Sequence, residues 1–183
     1  MLSAAHKTLL RDIARDAIEH GLHTGEPPLP ASGNYADALT ENRATFVTLN
    51  KQGQLRGCIG SLQAHRPLIE DVAHNAFAAA FRDSRFSPLQ VDELPDVDIH
   101  ISLLGTAETM QADSEQELLR QLRPGIDGLI LEEQGRRATF LPAVWESLQD
   151  KQTFVHQLKM KAGLPADYWS DSLRFQRYQT ESW

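Results

Sequence analysis

The run Val97-Asp98-Ile99-His100-Ile101-Ser102-Leu103 alternates strictly between apolar and polar residues. Successive side chains of a strand point to opposite faces, so this is a strand with Val97, Ile99, Ile101 and Leu103 buried and Asp98, His100 and Ser102 on a polar face. Two further stretches read as hairpins. In the first, Phe46–Leu49 and Gln54–Gly60 flank Asn50-Lys51-Gln52-Gly53, a type I turn closed through a left-handed glycine. In the second, Ile126–Glu132 and Arg136–Leu141 flank Glu133-Gln134-Gly135, and Leu173–Tyr178 makes a last strand.

Helical spacing accounts for the segments between. Ser3 caps a helix to about His20 with Leu9, Leu10, Ile13, Ala14, Ala17 and Ile18 on one face, and Gly21 ends it. Pro67 opens a helix to about Arg82 whose stripe is Leu68, Val72, Ala76, Ala79 and Ala80. Asp113 or Ser114 caps a short helix through Leu122, and Pro142–Leu148 is another. Lys151–Ala162 follows, closed by Gly163, with Lys159 and Lys161 at its negative end. Thr24–Asn34 is a long Pro- and Gly-rich loop, a flap or a surface segment. Because the strands come as hairpins, the expected class is α+β, a mostly antiparallel sheet flanked by helices. Residues 1–183 make one domain, for which two subdomains with a cleft between the lobes is one arrangement.

The chemistry centres on Leu55-Arg56-Gly57-Cys58-Ile59-Gly60-Ser61, which holds the single cysteine. Strict alternation places Leu55, Gly57 and Ile59 on one face and Arg56, Cys58 and Gly60 on the other. A guanidinium beside a thiol favours the thiolate, which is the nucleophile. Gly57 and Gly60 remove bulk, so a ligand or another backbone can approach. The competing reading is equally simple: a lone cysteine packs as a small hydrophobe, and strand glycines mark a bulge or a tight contact. A cysteine nucleophile also needs a base. His65 is close in sequence, and His100 qualifies if its polar face is shared with Cys58. Asp83 and Arg85 are either an ion pair holding a turn or ligands to a polar substrate.

A net charge of −7 without a basic run argues against broad binding to nucleic acid. No apolar stretch approaches membrane-spanning length, and the first residues do not read as a signal peptide. One cysteine forbids an internal disulfide and fits a reducing cytosol, so a cytoplasmic protein is expected. No paired-cysteine or His-Glu-x-x-His pattern calls for a metal, and no Gly-rich phosphate loop calls for a nucleotide cofactor. The aromatic tail (Tyr168, Trp169, Phe175, Tyr178, Trp183) has no basic patch beside it and is expected to dock on the core.

Phe46-Val47-Thr48-Leu49 followed by Leu55-Arg56-Gly57-Cys58-Ile59-Gly60 resembles the signature of the AMMECR domain family. The likeness continues through Asn75-Ala76, Ala79-Ala80-Phe81, Asp83, Arg85-Phe86, Pro88-Leu89 and Glu93-Leu94. It resumes at Asp127-Gly128-Leu129, Thr139–Pro142, Phe154, Leu158, Lys161–Leu164 and Trp169. Ala44 departs from it, standing where the family commonly has glycine. At this length the chain is similar to the bacterial AmmeMemoRadiSam type. That resemblance implies partnership with a Memo-type, dioxygenase-like protein and a radical SAM protein, and it adds Asn75, Asp83 and Arg85 to the binding residues. Three functions follow as expectations. One is cysteine-dependent catalysis on a small substrate, another a non-catalytic ligand module, and the third an accessory protein whose partners do the chemistry.

Overall fold

The computed structural model describes residues 2–28 and 35–183. Of the loop expected over Thr24–Asn34, residues 29–34 lie outside the described residues. The chain divides into two compact units, residues 1–104 with 181–183, and residues 105–180.

The first unit opens with α1 (Ala4–Thr24), where the Ser3 hydroxyl accepts the His6 N–H at 3.2 Å. The helix does not stop at Gly21. It runs one turn further to Gly25, whose φ of 74° is the left-handed conformation that ends helices, and whose N–H bonds the Gly21 carbonyl. Gly21 instead lies under the rings of Phe77 and Phe81, where an added Cβ would sit 2.8 and 2.4 Å away. A short α2 (Asp37–Thr40) precedes the first hairpin. Its strands are β1 (Thr45–Lys51) and β2 (Gln54–Gly60), and Gln52 and Gly53 both take positive φ. Two left-handed residues make a type I′ turn, which matches strand twist better than the type I turn expected.

Next, α3 (Leu68–Phe81) carries the alanine-rich stripe, and a 3₁₀ helix at Val91–Asp96 leads into β3 (Val97–Leu104). In the sheet, β1 lies between β2 and β3, and the chain's last strand, Thr180–Ser182, adds beside β3. Both α1 and α3 belong to one core with Val47, Leu49, Val97, Ile99, Ile101 and Leu103. Fully burying side chains such as Leu10, Ile18 or Leu68 contributes ~1.5–3 kcal/mol each. Trp183 packs against this core, and its main chain exchanges both hydrogen bonds with Ile101.

The second unit is built on β4 (Glu108–Met110), β5 (Gly128–Glu133), β6 (Arg136–Phe140) and β7 (Arg174–Tyr178), in the order β4-β7-β5-β6. Ser114 caps α4 (Glu115–Gln121), and Asp150 caps α5 (Lys151–Lys161). Pro142–Glu146 is 3₁₀ rather than α-helical. Phe154 stacks on Trp145 at 3.8 Å, and Phe175 and Trp169 join the same core, as the aromatic tail suggested. The class is α+β with antiparallel pairing, in two four-stranded sheets instead of one.

Candidate functional site

The motif strand is not a regular strand. Leu49 pairs with Gly57 but Asn50 pairs with Leu55, so Arg56 is an extra residue in a β-bulge. A bulge re-aims its side chain and reverses the alternation beyond it. Leu55 therefore shares the face of Asn50, where it is 42% exposed, instead of the buried face of Gly57 and Ile59. The Arg56 guanidinium reaches Glu93 with two bonds, Nε to Oε1 at 3.0 Å and Nη2 to Oε2 at 2.9 Å, and also donates to the Ser87 carbonyl. Lys51 joins the same carboxylate at 3.1 Å. The Arg56 bonds, helped by Gln90 and Lys51, hold the Glu93 carboxyl at about 2, far below its ordinary range.

Cys58 is half-buried, and its Sγ lies 3.2 Å from the Thr48 hydroxyl. Its main chain is gripped from the outside of the sheet. Asp83 Oδ2 accepts the Cys58 N–H at 2.9 Å, and Arg85 Nη2 approaches the Cys58 carbonyl at 3.4 Å. The two side chains are also paired with each other, Arg85 Nη2 to Asp83 Oδ2 at 2.7 Å. Those Arg85 bonds, with the two main-chain N–H groups, hold the Asp83 carboxyl at about 2. Asp83 is buried, whereas the Arg85 side chain is 55% exposed.

Register places His100 in line with the thiol. Thr48 pairs with Cys58 on one side and with His100 on the other, so the three share a row across the polar face. Two strand spacings separate the Cα atoms of Cys58 and His100 by about 10 Å. His65 lies in the exposed segment after β2, with Nδ1 on the Gln63 carbonyl and Nε2 accepting from Arg66.

The remaining expected residues are taken up by protein contacts. Asn75 is 2% exposed and donates to Thr45 and Asp71 on the helix side of the sheet, away from the Cys58 face. Its partner Asp71 is a buried hub that also accepts from the Thr45 N–H and hydroxyl and from Ser61. Sequence reasoning missed this hub, although Asp71 and Asn75 stand four apart beside the α3 stripe. Both motif glycines make room for protein. A Cβ on Gly57 would lie 2.1 Å from the Ala79 carbonyl oxygen, and one on Gly60 would lie 2.2 Å from the Phe46 ring. Among the described residues, no three His, Cys, Asp or Glu side chains come together as a metal site. No helix among them is long and apolar enough to cross a membrane.

These features define an α+β protein of two compact antiparallel-sheet units, with a thiol on the polar face of the first sheet. The family model AMMECR1 matches residues 11–183, and the chain belongs to that family. A protein from Methanothermobacter thermautotrophicus is 38% identical, over 96% of this chain and 91% of its own. One from Thermococcus onnurineus is also 38% identical, over 87% of this chain and 80% of its own. The crystal structure of an uncharacterized protein, PH0010, from Pyrococcus horikoshii superposes with a TM-score of 0.87 at 31% identity, covering 95% of this chain and 88% of that one.

Proposed function

We propose that the polar face around Cys58 is a small-molecule site, in which the thiol is the reacting group and Arg85 the cation that meets an anionic substrate. One observation carries the reading. Asp83 and Arg85 converge on the main chain of a half-exposed cysteine that lies in register with Thr48 and His100. Main-chain anchoring fixes the Cys58 backbone and the Thr48 hydroxyl holds Sγ at 3.2 Å, and a fixed nucleophile is what orientation effects require. Arg56 acts at one remove, since Nε and Nη2 of its guanidinium are held by Glu93 and the Ser87 carbonyl. His100 is the better placed of the two candidate bases, through a substrate or one water spanning the row. A cytosolic setting goes with this reading, because it keeps the lone thiol reduced.

A second reading rests on Leu55 and Val91, which are 42% and 67% exposed and stand one residue before Arg56 and two before Glu93 in the chain. Exposed apolar side chains beside a rigid ion pair suit a protein partner. On that reading the face docks a Memo-type or radical SAM protein, and the chemistry is the partner's.

The test is the pH dependence of Cys58 alkylation, read by intact mass, for wild type, Arg85→Gln and Arg56→Gln. The chain has one cysteine, so each adduct reports on this site alone. The catalytic reading expects fast reaction at neutral pH, with the apparent pKa raised more by Arg85→Gln than by Arg56→Gln. A thiol that reacts only on unfolding would overturn it and favour the docking reading.

A further inference from the structure

The second unit holds a cavity of about 260 Å³ lined by Gly105, Thr106, Glu108, Arg123, Arg177, Tyr178 and Gln179. It shares no residue with the Cys58 face. Its polar lining is mostly donor. Arg123 spends Nε and Nη2 on the buried Asp127 carboxylate, and among the described residues its Nη1 makes no hydrogen bond. Among the described residues, Arg177 spends only Nε, on Glu108 at 3.1 Å. Two guanidinium groups thus bring unused N–H donors to one concavity. The Tyr178 hydroxyl is not among the donors, being bonded to Thr139 and the Phe140 carbonyl, so its ring supplies an apolar wall.

Glu108 is the acceptor now serving this place. It is the cross-strand partner of Arg177, and its side chain is 66% exposed. An exposed pair of this kind contributes little to stability, so an incoming anion displaces it at small cost. Arginine forks suit planar carboxylates and tetrahedral phosphates alike. The volume is below the roughly 300–1,000 Å³ of drug-sized sites, which restricts the ligand to a small one.

We propose that the cavity at Arg123 and Arg177 binds the carboxylate or phosphate group of a small molecule, with Glu108 holding the place in its absence. The site is separate from the thiol chemistry and stands whether or not Cys58 reacts.

The experiment titrates the ¹⁵N-labelled full chain with inorganic phosphate and, separately, with malonate, at constant ionic strength. Saturable shifts confined to the lining residues are expected, and the tighter of the two probes tells phosphate from carboxylate chemistry. Arg177→Gln is expected to weaken binding at least about tenfold, the loss of hydrogen bonds to a charged group. Glu108→Gln is expected to tighten it. No saturable shifts, or shifts that Arg177→Gln leaves unchanged, would overturn the site. Glu108→Gln binding no tighter than wild type would overturn the place-holding role. Were Arg177→Gln not to fold, Arg177→Lys takes its place, weakened binding on loss of the planar fork supporting the site and unchanged affinity sinking it.

Discussion

The Asp83 carboxylate accepts the main-chain N–H of Cys58 at 2.9 Å. β2 is an edge strand, and here a side chain from the loop after α3 does the hydrogen bonding of a missing neighbour. Arg85 approaches the carbonyl of the same residue, so the pair closes one step of the open ladder. Asp83→Ala removes the acceptor for the Cys58 N–H and for Arg85 together. The expected loss is about 1–3 kcal/mol, read from the urea midpoint at neutral pH.

Acid should reveal the same pair. The carboxyls of Asp83 and Glu93 both fall to about 2, from ordinary values of 3.8 and 4.5, chiefly through Arg85 and Arg56 respectively. A folded-state pKa below the unfolded one gives stability that is complete above the unfolded value. It is lost as pH falls through the folded one. The melting temperature of the wild type should therefore drop steeply between about pH 4.5 and pH 2. Asp83→Asn and Glu93→Gln should each start lower at neutral pH and flatten that drop. Parallel curves for wild type and both variants would show that other carboxyls carry the acid transition.

Gly57 and Gly25 should respond to alanine for different reasons. At Gly57 the new Cβ would meet the Ala79 carbonyl oxygen at 2.1 Å, and neither backbone has a rotamer with which to yield. Gly57→Ala is expected to cost about 1–3 kcal/mol or more, as overpacking does, and to loosen β2 against α3. Gly25→Ala meets open space at φ 74°, so its cost is conformational only, about 1 kcal/mol. Denaturant midpoints for the two variants test the order.

What a sequence can show and what it cannot is visible at these glycines. Gly21 and Gly25 look alike from the chain, and the nearer one was expected to end α1. Only the rings of Phe77 and Phe81, contributed by another helix, make Gly21 a packing residue. Alternation revealed β3 because Val97–Leu103 obeys it, with Ile101 buried and His100 exposed, and only Leu104 at its end breaks it. It misplaced Leu55 because the bulge at Arg56 breaks the period, and the strand glycines, which fit a bulge or a tight contact alike, do not say which residue is the extra one. Three-residue strands such as β4 and Thr180–Ser182 are too short to show a period at all. The AMMECR likeness was legible in Leu55–Gly60 and its flanking segments, whereas the grip of Asp83 and Arg85 on Cys58 depends on tertiary contacts.

Lys159 gives the sharpest mutational contrast. From the sequence it reads as a cation at the end of a helix, yet its side chain is fully buried, paired with Glu115 and lying 5.6 Å from the centre of the Trp169 ring. The sign was present: Lys159 stands four residues after Val155 and next to Leu158, on the stripe that α5 buries. Glu115 is 22% exposed and also bonds His156, so it can be solvated alone, whereas Lys159 cannot. Glu115→Gln would strand a buried cation, at a cost of about 3–5 kcal/mol. Lys159→Met replaces that cation with a flexible apolar chain of similar reach and leaves a partly solvated carboxylate, so its cost should be clearly smaller. Thermal melts of the two variants and of the double variant check this. If Lys159→Met proves the more damaging, the buried pair is a net source of stability, and the desolvation argument fails for this protein.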